Sequence, residues 1–370
     1  MEKHRNILYW PLSVIYGTIT GLRNFFYNSG IFKSIEFRIP VICVGNITVG
    51  GTGKTPHTEY LAGILSEHFK VATLSRGYKR KTHGFLIANP SSGVNDIGDE
   101  PKQISLKFSS VLVAVDNNRV EGVKKIIASN NGTEVIILDD GFQHRKIKPG
   151  FSILLTDFER LMIRDHMLPY GNLREGIHNM RRADIIIITK TPDNITPMQR
   201  RLIVKEVNKA PYQNLYFTSF VYKTPKAIFK DLGIERAFPA KIEKETSGAI
   251  LVTGIANPLP LKEKIGDIFE ELTHLTFPDH YNFREKDINT ISEAFNNLKS
   301  PFKYIITTEK DAVRLREFTN IADPVRSALY YMPIAISFQN SDKEEFDNII
   351  INYVRKNKGI NRIPKVKGNH

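Results

Sequence analysis

The sequence predicts an α/β fold, a parallel sheet with helices on both faces followed by a smaller second α/β domain. Three observations predict it. Apolar β-branched runs alternate with helix-period segments from 41 to 189, the pattern of strands buried on both faces and linked by crossover helices. A Gly-rich turn joins the first run to the first of those helices. Around 211–232 the rhythm changes, and a second alternation follows. At 370 residues the chain is long enough for two cores, and its 41% hydrophobic and 25% charged residues exclude a disordered class.

The first element is a helix within 1–30. Leu8, Leu12, Ile15, Ile19, Leu22 and Phe26 recur at spacings of three and four, with Tyr9, Trp10, Tyr16, Phe25 and Tyr27 among them. Lys3, Arg5, Arg23 and Lys33 supply basic flanks. Polar interruptions at Gly17, Thr18, Thr20, Arg23 and Asn24 leave it short of a transmembrane span, and a cleaved signal peptide would part the chain from cytosolic nucleotide. Two readings remain: a helix lying in a membrane interface, or one packed on the domain's own core.

A first domain over 31–212 follows, with buried strands at 41–45, 71–74, 111–115, 135–138, 152–155 and 185–189 and helices such as 56–68 and 118–129. Leu215–Val221 and Lys226–Phe229 read as a two-stranded connector over 213–232. The second domain, 233–358, has strands at 249–254, 273–277, 303–307 and 329–338 and helices at 259–271, 287–298 and 342–355. Residues 359–370 read as a basic tail. The single cysteine, Cys43, lies in the first strand, so no intrachain disulfide forms and a reducing compartment fits.

The net charge of +13 implies an anionic partner. The motifs suggest which kind. Thr48, Val49, Gly50, Gly51, Thr52, Gly53, Lys54 and Thr55 follow the first strand and precede a helix, as in a phosphate-cradling loop. Lys54 would then reach β/γ-phosphates and Thr55 would ligate Mg²⁺. Thr48 stands where the usual pattern has a glycine. Asp139 and Asp140 end an apolar strand, the position from which such loops' partners hold a Mg²⁺ shell, and Gln143 continues that turn. Asp99 and Glu100, in Gly98-Asp99-Glu100-Pro101, could accept a hydroxyl proton or ligate the metal, or simply open a helix.

Tyr78 within Ser75–Lys81, Arg119, and the Asn172-Leu173-Arg174-Glu175 stretch lie on loops beyond strand ends, where basic groups would rim an anionic acceptor. His280, in Phe277–Phe283, is by itself a structural or exposed histidine, and Thr307–Ala312 could orient groups in an interdomain cleft. Neither zinc-ligand spacing nor a Gly-x-Ser-x-Gly elbow occurs.

In this order the motifs resemble the tetraacyldisaccharide 4′-kinase family, the lipid A 4′-kinases. The likeness rests on Gly45-Asn46 with Gly50–Pro56, Ser75–Tyr78, Gly98–Pro101, Asp139–His144, Leu173–Glu175, Asp279–Tyr281 and Thr308–Ala312, and runs from the first helix to about residue 340. It implies a P-loop kinase-type sheet and phosphorylation by ATP, with Mg²⁺, of the 4′-hydroxyl of an acylated glucosamine disaccharide 1-phosphate, giving lipid IVA. It further implies a monotopic enzyme on the cytoplasmic face of the inner membrane, touching its lipid surface. Carried over residue by residue, Asp99 is the base and His280 its orienting partner. Lys54 neutralises phosphate, and Thr55, Asp139 and Asp140, with Glu100 and Gln143, hold the metal shell. Tyr78, Arg119, Asn172 and Arg174 contact the acceptor, although Asn172 departs from the family's usual run before Leu-Arg-Glu.

Two rivals belong to other classes. A regulatory P-loop GTPase or ATPase would carry Asn-Lys-x-Asp after a late strand, and Thr189-Lys190-Thr191-Pro192-Asp193 lacks the Asn. A basic nucleic-acid binder would interleave stacking aromatics with its charges, and no regular array occurs, so no nucleic-acid partner is expected. Nothing in the sequence calls for an obligate protein partner.

Overall fold

The structure, a computed structural model, describes residues 7–129, 131–229, 237–339 and 341–358. Lys3 and Arg5 and the tail at 359–370 lie outside the described residues. Helix α1 (Trp10–Asn28) opens the chain. Then come β1 (Val41–Gly45), α2 (Lys54–Ser66), β2 (Val71–Ser75), β3 (Leu86–Ile87), α3 (Val94–Ile97), α4 (Asp99–Lys107), β4 (Leu112–Val115), α5 (Arg119–Ala128), β5 (Val135–Asp139), β6 (Phe151–Asp157), β7 (Ile185–Thr189), α6 (Pro197–Val207) and β8 (Asn214–Tyr222). The second half holds β9 (Lys226–Ala227), β10 (Ser247–Thr253), α7 (Leu259–Ile268), β11 (Glu271–Thr276), α8 (Glu285–Asn297), β12 (Phe302–Thr308), α9 (Glu309–Leu315) and α10 (Asp323–Ser327). It closes with β13 (Leu329–Met332), β14 (Ile334–Phe338) and α11 (Asp342–Lys358).

Nine strands form the large sheet in the order β14-β8-β7-β6-β1-β5-β2-β4-β3, parallel except for its two edges. Strand β1 sits inside, between β5 and β6, and the chain builds outward from it on both sides. That reversal leaves a crevice beyond the carboxyl end of β1, the place where such sheets bind ligands. The strands read as continuous apolar runs because alternate residues serve opposite faces. Val41 and Cys43 pack toward the face covered by α5 and α6, Ile42 and Val44 toward that covered by α2, α4 and α11.

The predicted fold class holds in its main parts, a parallel-rich sheet with helices on both faces, a smaller α/β sheet and an N-terminal helix. The connector is built differently from the expectation. Strands 215–221 and 226–229, read as a two-stranded connector, are members of the sheets themselves, β8 of the large one and β9 of the small one. Each pairs with a piece of the run predicted as one strand at 329–338. Pro333, which cannot donate to a ladder, splits that run into β13 and β14. Strand β14 pairs antiparallel with β8, β13 pairs antiparallel with β9, and between them Lys223 N–H donates to the Pro333 carbonyl at 2.9 Å. One antiparallel ribbon therefore runs through both sheets. Helix α11, expected in the second domain, buries Phe346, Ile350 and Val354 against the large sheet. The small sheet, β11-β10-β12-β13-β9, carries α8 on one face and α7 on the other.

Helix α1 inverts the usual arrangement. Its buried residues are Ser13 and Asn24, whereas Trp10, Ile15, Ile19, Leu22 and Phe25 are exposed. Ser13 Oγ donates to the Met167 carbonyl at 2.7 Å, and Asn24 Nδ2 donates to Glu175 at 3.1 Å. Among the described residues no helix is long and apolar enough to cross a membrane.

Candidate active site

The turn after β1 is fixed from three directions. Thr48 forms an antiparallel bridge with Leu173, flanked by bonds from Val49 N–H to the Asn172 carbonyl (2.8 Å) and from Arg174 N–H to the Ile47 carbonyl (2.7 Å). Thr48 is not among the residues with positive φ, so no glycine is needed there. Glycine is needed at Gly50 (φ +104°) and Gly53 (φ +83°), which lie in the left-handed region. Asn46 Nδ2 donates to Thr52 Oγ1 at 2.9 Å, and Thr189 Oγ1 donates to the Thr52 carbonyl at 3.0 Å. His57, one turn into α2, bridges the Gly53 carbonyl (2.8 Å) and Thr218 Oγ1 (3.1 Å); burial lowers its pKa to about 4, so the ring is neutral. Backbone N–H groups at the start of α2 thus meet a braced loop, with Lys54 and Thr55 in the first helical turn.

An acidic group faces that turn from the end of β5. Asp139 is buried and accepts from Thr58 Oγ1 at 3.0 Å. Burial first, then the charges of Asp140 and Glu100, push its carboxyl up to about 6, against the opposing pull of Lys54 and Thr58. Asp140 lies 3.7 Å from Lys54 Nζ and 3.7 Å from Arg174, and its Oδ1 is a buried acceptor without a hydrogen bond. Carboxylates crowded at a P-loop with an orphaned oxygen are a donor set that a divalent cation satisfies. Gln143 spends its amide N–H on the Asn46 carbonyl, bracing the loop.

The second constellation spans the domains. Asp99 opens α4 and is fully enclosed. Its Oδ2 lies 2.8 Å from Nδ1 of His280, a residue 181 positions away on the loop after β11. Arg314 of α9 grips the same carboxylate, Nε to Oδ1 at 2.6 Å and Nη2 to Oδ2 at 2.8 Å. Burial alone would raise the Asp99 carboxyl, but the bonds from His280 and Arg314 outweigh it and hold it below the usual range. Lys310 Nζ approaches His280 Nε2 at 3.0 Å, which assigns the ring proton to Nδ1 and the lone pair to Nε2. Tyr78 packs edge-on against the His280 ring, and Glu100 lies 3.9 Å from Nε2. At Gly98 (φ +92°) a Cβ would meet the Tyr78 carbonyl at 3.0 Å and Gly77 at 3.1 Å, so the turn that presents Asp99 requires glycine there.

The predicted residues therefore gather in two groups, Lys54, Thr55, Asp139, Asp140 and Arg174 at the loop, and Asp99, Glu100, His280 and Tyr78 at the domain junction. Glu100 links them, since its charge bears on Asp139. Two expected acceptor residues are committed within the fold. Arg119 is buried and donates to the Asp116 and Asn117 carbonyls at 3.4 and 3.3 Å, and Asn172 Nδ2 donates to Asp165 at 3.0 Å. Arg314 and Thr58 lie outside the residues that the sequence singles out; the one available signal for Arg314 is its place one turn after Thr308–Asp311.

The family model described as tetraacyldisaccharide-1-P 4′-kinase matches residues 5–355. A tetraacyldisaccharide 4′-kinase of Bacteroides thetaiotaomicron is 43% identical over 354 residues, 94% of this chain and 93% of the relative. One of Flavobacterium johnsoniae is 43% identical over 357 residues, 96% of this chain and 99% of the relative. Among solved structures, LpxK from Aquifex aeolicus in complex with ATP aligns with a TM-score of 0.70 at 26% identity, covering 94% of this chain and 98% of that one. With the motifs, the braced loop and these relatives in agreement, this chain belongs to the tetraacyldisaccharide-1-P 4′-kinase family.

Proposed function

We propose that the chain transfers the γ-phosphoryl group of ATP to the 4′-hydroxyl of a tetraacylated glucosamine disaccharide 1-phosphate, forming lipid IVA. The observation that carries this reading is the meeting of Asp99 and His280 at 2.8 Å across the domain junction, with Glu100 of the same turn bearing on Asp139, which also feels Lys54. The acceptor oxygen forms a bond to the γ-phosphorus, the bond from that phosphorus to the β,γ-bridging oxygen breaks, and ADP leaves. The hydroxyl proton passes to the Asp99–His280 pair. Asp99 is enclosed, so in this arrangement the hydroxyl meets the pair at His280 Nε2, displacing the Lys310 ammonium that lies 3.0 Å from that nitrogen, while Asp99 fixes the ring and balances the charge it acquires. Lys54 and the α2 amides neutralise the transferred phosphate, and Arg174 and Tyr78 line the acceptor side.

Thr55, Asp139 and Asp140 would hold Mg²⁺, with Glu100 and Gln143 beside them. Bound there, the ion supplies neutralisation of charge on the β- and γ-phosphate oxygens. The outward apolar face of α1 and the basic balance of the chain suit an anionic lipid surface, which is where an acylated acceptor resides. We place the enzyme on the cytoplasmic face of the inner membrane on that basis.

The test is incubation of the purified chain with γ-labelled ATP and detergent-dispersed lipid A precursors. Label in the tetraacylated disaccharide is the expected result. ATP hydrolysis with no labelled lipid, or strong GTP preference, would favour the regulatory reading.

A further inference from the structure

The carboxylate of Asp99 receives more from the second domain than the histidine. Arg314 is 7% exposed and uses two of its guanidinium nitrogens on both oxygens of Asp99. Its third nitrogen, Nη1, donates to Asn282 Oδ1, two residues after His280 on the same loop. One planar fork therefore binds the carboxylate of the first domain and the loop that carries the histidine of the second. A bidentate pair of this kind fixes the carboxylate plane as well as its distance, which a single hydrogen bond does not. The tie is stiffened from behind. Thr308 caps α9, with its hydroxyl on the Asp311 backbone N–H at 3.0 Å, and Asp311 accepts from Gly254 N–H at 2.9 Å. Asp311 thus ties the start of α9 to the residue that follows β10.

We propose that Arg314 is a positioning residue for phosphoryl transfer: by gripping Asp99 and the Asn282 loop together, it sets the Asp99–His280 pair in reacting geometry when the domains close. The inference rests on the kinase reading above. Arg314 touches neither nucleotide nor acceptor in this role and acts through Asp99 and His280. Its removal lowers the fraction of closed complexes with an aligned pair, so the loss falls on kcat while ATP still binds at the separate Lys54 loop. Geometric misplacement on this scale costs about 100-fold in rate.

The experiment compares wild type, Arg314→Met, Arg314→Lys, Asp99→Asn and the double variant Asp99→Asn/Arg314→Met. All are full-length chains in detergent with ATP and the tetraacylated disaccharide phosphate. Arg314→Met is expected to lose about 100-fold in kcat with the KM for ATP within about threefold of wild type. Arg314→Lys, which keeps the charge and loses the fork, is expected to recover part of that loss. In the Asp99→Asn background the Arg314→Met substitution is expected to cost almost nothing further, because the two residues act as one unit. The double variant removes both charges together, leaves no unpaired buried ion, and so remains testable if Arg314→Met alone folds poorly. Wild-type kcat in Arg314→Met, multiplicative losses in the double variant, or no advantage of Lys over Met would overturn the assignment. Failure of the wild-type chain to label the lipid would instead overturn the kinase reading.

Discussion

Helices α1 and α2 both contact the loops around the crevice, yet they present opposite sides to it. Helix α2 buries Leu61, Ala62 and Leu65 and aims its first turn, with Lys54, at the acids ending β5. Helix α1 buries Ser13 and Asn24 and turns Ile15, Ile19, Leu22 and Phe25 to the outside. The apolar period is clear in α1, yet that helix turns it outward, so periodicity alone does not say which way a helix faces. Orientation is decided by the partners. The loops under α1 offer a carbonyl at Met167 and a carboxylate at Glu175, and these select its polar residues. Under the middle of α2 the strands offer mainly apolar side chains, which select Leu61, Ala62 and Leu65, while Asp139 and Thr218 meet Thr58 and His57 in its first turns. Chemistry is thus concentrated beside α2, while α1 leaves an outward apolar face, the surface proposed to meet lipid.

That division can be broken in three ways. The largest effect is expected from Asp99→Ala. Turnover should fall by about three to four orders of magnitude with the ATP dissociation constant nearly unchanged, because the group acts only in the transition state. Single-turnover transfer from labelled ATP measures it, and turnover close to wild type would remove Asp99 from the mechanism.

Next is the double substitution Ile15→Asp/Ile19→Asp on the outward face of α1. These side chains are 56% and 63% exposed, so the melting temperature should hold. Partition onto anionic lipid vesicles should drop about 100-fold, given roughly 1.5 kcal/mol or more for each apolar side chain transferred. Unaltered co-sedimentation with vesicles would place attachment elsewhere.

The smallest effect concerns His57 in α2. Its folded pKa of about 4 lies below the ordinary value of 6.5, so between those values the unfolded chain binds a proton that the fold refuses. Stability should decline as pH falls through that window, by ~3 kcal/mol in all, and level off below it. His57→Gln should remove this slope in denaturant titrations at stepped pH; an identical slope in the variant would acquit His57.

The large sheet was legible because its central strands are covered on both sides, which leaves unbroken apolar runs such as Val41–Val44 and Val135–Leu138. The loop after β1 was legible because its chemistry is local, with glycines, lysine and threonine contiguous in sequence. The base pair was not legible in that sense. Asp99 and His280 come together only through the docking of α4 against α9, and each alone resembles an ordinary helix start or surface histidine. The family resemblance supplied the link. Arg314 had no such help, since its partner is 215 positions away. The split at Pro333 carried a readable signal in the proline itself. What sequence could not tell is that the two halves of that run belong to different sheets, because both are apolar and suit either one.

The ribbon formed by β8-β9 and β13-β14 has a consequence for synthesis. Strand β14 and helix α11 cover β8 and Tyr216 of the nucleotide-binding sheet, yet they leave the ribosome after the whole of the small sheet. The motif that appears first in the chain therefore belongs to the layer finished last. A nascent chain that has reached Met332 carries an intact small sheet beside a large one with a bare hydrogen-bonding edge, open to strand exchange or to chaperones. Completion of the large sheet thus waits on β14 and α11, which follow every strand of the small one.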